Sequence, residues 1–225
     1  MDTLILSGGC SWRLKPQLEI PKPLLKIGQY SLLEMQIRWL LKNGFDKIYP
    51  ICSEEVANGV SDWVLQSDRI TLVIEKERKG TAGAIYNVLP KLGKRFYCHN
   101  VDDLVLDFNP KFLMDRSEKY AVSILGCKPR MSFGVLKSRG DMVYKFVEKP
   151  LVDDYCSAGH YSFNLNRFNN GLKIPESGNI EENLLPQLAR LHKLGLEKYH
   201  GLWMTISNQK DYLEVLKQYG EPNKI

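Results

Sequence analysis

The sequence predicts an α/β fold: a mixed, mostly parallel sheet flanked by helices, with antiparallel strands in its second half. Three observations carry this. Short apolar runs of strand length alternate with segments of helical periodicity through the first half of the 225 residues. The first such run ends directly at a glycine pair, Gly8-Gly9. After about residue 120 the long helical segments give way to closely spaced strand-like runs.

Each element has a local reason. Residues 4–6 read as a buried strand. Residues 31–43 read as a helix, with Leu32, Leu33, Ile37, Leu40 and Leu41 near helical spacing and Gly44 as its stop. Residues 47–52 form a second strand, 58–66 a helix, 71–75 a third strand, 81–92 a helix and 95–100 a fourth strand ending in an acidic turn. Strands follow at 121–127, 133–137, 143–148 and 160–164, then helices at 180–194 and 209–219. Right-handed crossovers place the loops after parallel strands along one edge, where ligands bind in such sheets. The length suits one domain, 1–225, with a first half to residue 115 and a second from 116.

Composition excludes several classes. Hydrophobic residues make up 44% and charged residues 25%, as in a soluble globular protein. No segment approaches the roughly 20 apolar residues that span a bilayer. The short apolar run after Asp2 lacks a basic region before it, so no signal peptide is expected. Cys10, Cys52, Cys98, Cys127 and Cys156 are odd in number and widely spaced, and His99, His160, His192 and His200 lack ligand spacing. Neither a disulfide framework nor a zinc site is suggested, and a reducing cytoplasm is the simplest compartment. The net charge of +5 fits an anionic small substrate. No dense basic tract with interleaved aromatics points to nucleic acid, and nothing points to a membrane.

The N-terminal loop is built to wrap a polyphosphate. Gly8 and Gly9 let the backbone approach an anion, because no Cβ stands in the way. Exposed N–H groups there make an anion nest, and Arg13 adds a forked, charge-assisted contact. Lys22 is aimed by Pro21 and Pro23. Further along, Glu75 precedes a loop with Gly80, Thr81 and Gly83, and Asn100-Val101-Asp102-Asp103 closes a strand. Glu148-Lys149-Pro150 is followed by Ser157-Ala158-Gly159.

Together these segments resemble the sugar-1-phosphate nucleotidyltransferases, the nucleotide-sugar pyrophosphorylases, and most nearly their mannose- and heptose-1-phosphate guanylyltransferase-like members. The usual signature is L-A-G-G-x-G-T-R-L-x-P followed by P-K-P-L. This chain keeps Gly8, Gly9, Arg13, Leu14, Pro16, Pro21, Lys22, Pro23 and Leu24. The resemblance covers nearly the whole chain and implies a Rossmann-like, GT-A-like fold, with nucleotide bound by the first half and sugar phosphate by the second. Leu6, Ser7, Gly8, Gly9, Glu75, Gly80, Thr81 and Asn100 would bind the nucleotide. Arg13 would hold the leaving phosphates, Lys22 the α-phosphate, and Asp102 a Mg²⁺ ion. Gly134, Glu148, Lys149 and Gly159 would receive the sugar phosphate. Asp103 is a neighbouring candidate, but adjacent side chains on an extended chain point opposite ways. A carboxylate at position 75 only accepts hydrogen bonds. Guanine offers it two adjacent donors and uracil one donor between acceptors, which tilts the choice toward GTP.

Two positions depart from the pattern. Ser11-Trp12 replaces Gly-Thr, and Thr205 stands where the family's W-x-D-I-G-T places the aspartate that is the second metal ligand. A hydroxyl is a neutral, poor ligand for Mg²⁺. The expected activity is therefore transfer of a nucleoside monophosphate from a triphosphate to a sugar 1-phosphate. A catalytically impaired nucleotide-sugar-binding regulator is the alternative, and a glycosyltransferase on the same sheet is a third, disfavoured by the Arg13 and Lys22 loop. The sugar is not identified, and a homodimer stays open.

Overall fold

The computed structural model describes residues 1–8, 20–169 and 171–221. Its centre is a seven-stranded sheet in the order β12-β8-β11-β6-β1-β4-β5. These strands are β1 (Asp2–Leu6), β4 (Lys47–Cys52), β5 (Val73–Ile74), β6 (Arg95–Asn100), β8 (Val122–Cys127), β11 (Cys156–Asn164) and β12 (Leu194–Lys198). β1 lies parallel to both β4 and β6, β4 to β5, and β8 to β12. Only β11 runs against its neighbours. Six carboxyl ends therefore share one edge, the edge at which such sheets bind ligands.

Alternation along each strand sends residues to opposite faces, and both faces are covered. Leu4 and Phe96 join one core with Ile85, Tyr161 and Leu188, and Phe96 stacks on Phe163 at 4.9 Å. Ile5 and Tyr97 join the other with Ile37, Trp39 and Phe45. The first core is roofed by α4 (Gly80–Val88), α6 (Ile180–Asn183) and α7 (Leu185–Arg190). The second is roofed by α1 (Leu32–Lys42), α5 (Lys111–Arg116) and α8 (Gln209–Tyr219). α1 begins at a capping box: Glu34 N donates to Ser31 Oγ and Ser31 N donates to Glu34 Oε2 at 2.7 Å. It ends before Gly44, at φ +82°.

Two expected helices are interrupted. Residues 58–66 are not one helix but the junction of α2 (Glu54–Gly59) and α3 (Asp62–Leu65). Ser53 caps α2 by accepting from Val56 N. Gly59 packs so closely on Leu24 that a Cβ would overlap its methyl group. Residues 180–194 divide into α6 and α7 because Pro186 lacks an N–H and opens a new helix near its N-terminus. His192, at φ +54°, then reverses the chain into β12, a strand the sequence reading missed.

Four short strands complete the fold: β2 (Lys26–Ile27) with β3 (Tyr30–Ser31), and β7 (Asp103–Leu104) with β13 (Met204–Thr205). A separate hairpin, β9 (Val135–Arg139) and β10 (Met142–Val147), stands off the central sheet. No helix among the described residues is long and apolar enough to cross a membrane.

Candidate active site

A cleft of about 290 Å³ opens at the carboxyl edge of the sheet. Its walls bring together seven of the residues singled out from the sequence: Leu6, Gly8, Glu75, Gly80, Thr81, Asn100 and Asp102. They come from the ends of β1, β5 and β6 and from the start of α4. Ile51, Arg78, Ala84 and Asn179 complete it, and the sequence reading did not name them. Gly9, Arg13 and the Ser11-Trp12 departure lie outside the described residues. Ser7 does not line the cleft. Its hydroxyl and its N–H both donate to Ile51 O, at 2.7 and 3.0 Å, and tie β1 to β4.

Glu75 is the most unusual group here. Its Oε1 is fully buried and has no hydrogen-bond partner among the described residues. A bare buried carboxylate oxygen carries a desolvation cost that a bound donor would relieve. Burial pushes its carboxyl up, and an N–H from Lys79 only partly offsets this. Gly8 makes room for it: a Cβ at position 8 would stand 2.7 Å from Glu75 Oε2.

Asp102, also in the lining, accepts through Oδ2 from Lys22 Nζ at 2.7 Å, both side chains being about three-quarters buried or more. Lys22 opens a single 3₁₀ turn after Pro21. Asp103 turns the other way. It is 7% exposed and accepts from Asn100 Nδ2 at 3.0 Å, from Trp203 Nε1 at 3.1 Å and from the Thr205 hydroxyl. Burial and then the neighbouring Asp102 charge push its carboxyl up to about 7.

This acidic turn rests on buried supports. Gln36 of α1 donates from Nε2 to Asp103 O at 2.8 Å and to Val101 O at 3.1 Å. His160 Nε2 lies 3.0 Å from Asp103 O, and since a carbonyl only accepts, that nitrogen carries the proton. Tyr97 OH then donates to His160 Nδ1 at 2.7 Å. His160 stacks on His99 at 4.9 Å, and both rings are fully buried. Burial pushes His99 down to about 4 and His160 down as well.

Gly80 needs its φ of +76°, and a Cβ there would overlap the Gly178 carbonyl. Thr81 Oγ1 donates to Glu181 Oε2 at 2.9 Å, and Tyr161 OH donates to Glu181 Oε1 at 3.2 Å. Tyr161 OH also lies 3.3 Å from Ser157 Oγ. The row leads from the cleft to a second cavity of about 520 Å³, which Ser157, Tyr155 and His192 help to line.

The four residues expected at the sugar phosphate do not line the cleft. Gly159, at φ +71°, backs onto Asp103 so closely that a Cβ would overlap the carboxylate. Gly134, Glu148 and Lys149 sit together at the base of the β9–β10 hairpin. A Cβ on Gly134 would stand 3.0 Å from Glu148 Oε2, and Lys149 adopts φ +45°. Among the described residues no three His, Cys, Asp or Glu side chains converge as a metal cage. Thr205 sits in register opposite Asp103. Two carboxylates line the cleft, Glu75 and Asp102, and of the adjacent aspartates only Asp102 does. That fits a Mg²⁺ ion held mainly by phosphate oxygens and water.

The chain matches the nucleotidyl transferase family model over residues 2–221. It belongs to that family. Among similar proteins is the mannose-1-phosphate guanylyltransferase catalytic subunit beta of Danio rerio, 29% identical over 97% of this chain and 64% of its own length. Mannose-1-phosphate guanylyltransferase 1 of Arabidopsis thaliana gives the same three figures. The chain thus spans about 64% of the length of these relatives. Among solved structures, HddC from Yersinia pseudotuberculosis complexed with GMP-PN has a TM-score of 0.73 at 22% identity, covering 97% of this chain and 99% of that one. A putative glucose-1-phosphate thymidylyltransferase from Bacillus anthracis has a TM-score of 0.72 at 18% identity, covering 99% and 96%. These neighbours share the Rossmann-like mixed α/β fold, as the sequence predicts.

Proposed function

We propose that this protein transfers GMP from GTP to a sugar 1-phosphate, releasing pyrophosphate. The observation that carries this reading is the buried Oε1 of Glu75, unpartnered among the described residues, in a cleft whose lining residue Asp102 is paired with Lys22. Guanine brings N1–H and its exocyclic amine side by side, and a carboxylate accepts both. The names of the curated relatives support guanine as the base and make mannose 1-phosphate the first acceptor to test.

In this reading the sugar phosphate oxygen forms a bond to the α-phosphorus. The bond to the β-phosphate oxygen breaks, and pyrophosphate leaves with that electron pair. No general base is needed, since the attacking phosphate is already ionised. Catalysis is positioning and charge neutralisation. Lys22 balances charge at the α-phosphate, and Arg13 holds the leaving phosphates. Asp102 would hold a Mg²⁺ ion, which supplies further neutralisation of the phosphates. Gln36 and His160 keep the turn that carries Asp102 in place. Leu6, Gly8, Gly9, Gly80, Thr81 and Asn100 enclose the nucleotide. Gly134, Glu148, Lys149 and Gly159 receive the acceptor. Residues 1–115 thus serve mainly the nucleotide and 116–225 mainly the sugar phosphate, in a cytoplasmic setting.

The test is pyrophosphate release with each of several triphosphates against mannose, glucose and heptose 1-phosphates. Release with GTP above the other triphosphates supports the reading, and none with any pair refutes it. Thr205, a neutral group beside Asp103, favours one second reading: a nucleotide-sugar-binding regulator without turnover. Saturable GTP binding with no pyrophosphate release would select it.

A further inference from the structure

The β9–β10 hairpin leaves the central sheet between β8 and β11, and a cysteine stands on each side of its root. Cys127 closes β8 and Cys156 opens β11. The two strands are antiparallel, and these two residues are direct partners in their register. Beyond them the two chains stay together. Val152 N donates to Pro129 O at 2.9 Å and Met131 N to Pro150 O at 2.8 Å. Arg130 pairs with Leu151, and the ribbon then becomes the hairpin. The segment between the two cysteines holds Gly134, Glu148 and Lys149, three of the four residues proposed for the acceptor.

This placement suits a covalent bond. Opposed residues of an antiparallel pair send their side chains to the same face. Their Cα atoms lie ~4.5 or ~5.5 Å apart, inside the roughly 4.4–6.8 Å over which disulfides form. Both thiols are free, Cys127 buried and Cys156 partly exposed. Cys52 stands in register with Ile74, and Cys98 with Leu4 and Tyr161, so neither has a thiol opposite it. Burial, then the charges of Asp103 and Asp107 and the Cys156 thiol, push Cys127 up to about 12, so it keeps its proton. The thiolate is the attacking form. The partly exposed Cys156 therefore reacts first.

We propose that Cys127 and Cys156 are a redox-sensitive pair that closes a reversible disulfide at the root of the hairpin, with a low-molecular-weight disulfide as oxidant. The Cys156 thiolate attacks one sulfur of the oxidant, whose S–S bond breaks and releases one small thiolate. Cys127 then gives its proton to that thiolate and attacks Cys156 Sγ. The second small thiolate leaves with the electron pair and takes up the proton that Cys156 gave to water. Two protein thiols are oxidised, and one small disulfide is reduced to two thiols.

The disulfide stands independently of the proposed reaction, but its consequence rests on that reading. The hairpin strands form a sheet of their own, so their connection to the central sheet runs through this root. A bond across the root fixes its two chains to one another and orders Gly134, Glu148 and Lys149 before the sugar phosphate arrives. Preorganisation of this kind raises affinity by reducing what must be ordered on binding. No residue of the segment 127–156 lines the nucleotide cleft, so GTP binding is untouched.

Peptide mapping tests the bond. The full chain is reduced with dithiothreitol, treated with oxidised glutathione, capped at its remaining thiols and digested without reductant for mass spectrometry. A Cys127–Cys156 link that dithiothreitol reverses is expected. Glutathione held on Cys156 without the link, a link from either residue to another cysteine, or no reaction at all overturns the pair. In the linked form KM for the sugar phosphate should fall about threefold, with KM for GTP unchanged. An unchanged or higher acceptor KM overturns the functional half. Cys156→Ser should form no link, and its acceptor KM should ignore the oxidant; a response in that variant overturns the assignment of the effect to this pair. Absence of turnover in the reduced wild type would refute the reaction and leave the peptide map to decide the disulfide.

Discussion

The nucleotide cleft and the β9–β10 hairpin carry the two halves of the proposed chemistry on opposite kinds of support. In the cleft, Asp102 sits on a turn braced from below by Gln36 and His160, and Glu75 lies against Gly8 at the end of buried strands. At the hairpin, Glu148 and Lys149 leave a ribbon whose strands are exposed throughout. The cleft can hold charges in fixed positions because its backbone belongs to the central sheet. The hairpin lacks that support, because its two strands form a sheet of their own.

The sharpest difference should appear in Lys22→Ala. Removing a charge from a preorganised site costs about 10²–10³ in turnover, so kcat should fall by that much with the circular dichroism spectrum retained. Unchanged turnover would remove Lys22 from the mechanism. Thr205→Asp is expected to destabilise. The Thr205 hydroxyl donates to Asp103, and a carboxylate in its place would face another, buried carboxylate. Loss of a buried partner with added repulsion puts the cost at about 1–3 kcal/mol, read as a lowered denaturation midpoint. This reverses the simple sequence expectation that an aspartate there restores a metal ligand.

Glu75→Gln replaces a buried carboxylate by a neutral amide. Preference for GTP over other triphosphates should fall about tenfold, the ~1.4 kcal/mol of one hydrogen bond to a charged group, while the melting temperature does not fall. Unaltered selectivity would show that Glu75 does not read the base. Acidification should act through the buried histidines. His99 is pushed down to about 4 from an ordinary 6.5, so the unfolded chain takes up the proton first. Stability is therefore full above pH 6.5 and is lost as pH falls toward 4, with His160 acting in the same direction. His99→Gln should flatten melting temperature against pH in that window. The smallest effect belongs to the hairpin: Lys145→Ser should leave the melting temperature unchanged, because the side chain is exposed and pairs with no carboxylate among the described residues.

Local chemistry was enough for β4, β6 and α1. Apolar runs at 47–52 and 95–100 coincide with β4 and β6, and Ser31, Glu34 and Gly44 write both ends of α1 into the local sequence. The missed features depend on distance along the chain. β12 is left unassigned beyond Leu194 because Leu-Gly-Leu-Glu-Lys becomes a strand only when β8 offers it an edge. Asn179 reaches the cleft only because Thr81, 98 residues away, bonds to it. Ser7 is turned from the cleft by the Ile51 carbonyl of a neighbouring strand.

Composition and local pattern alone were sufficient for the α/β class and the family resemblance, since these follow from side-chain type and short-range spacing. Folding alone decided which of two adjacent aspartates faces the cleft, that Glu75 keeps an oxygen buried without a donor, and that the hairpin stands uncovered. Those outcomes depend on desolvation and on partners brought together from remote segments, and no local window of sequence contains both sides of such a contact.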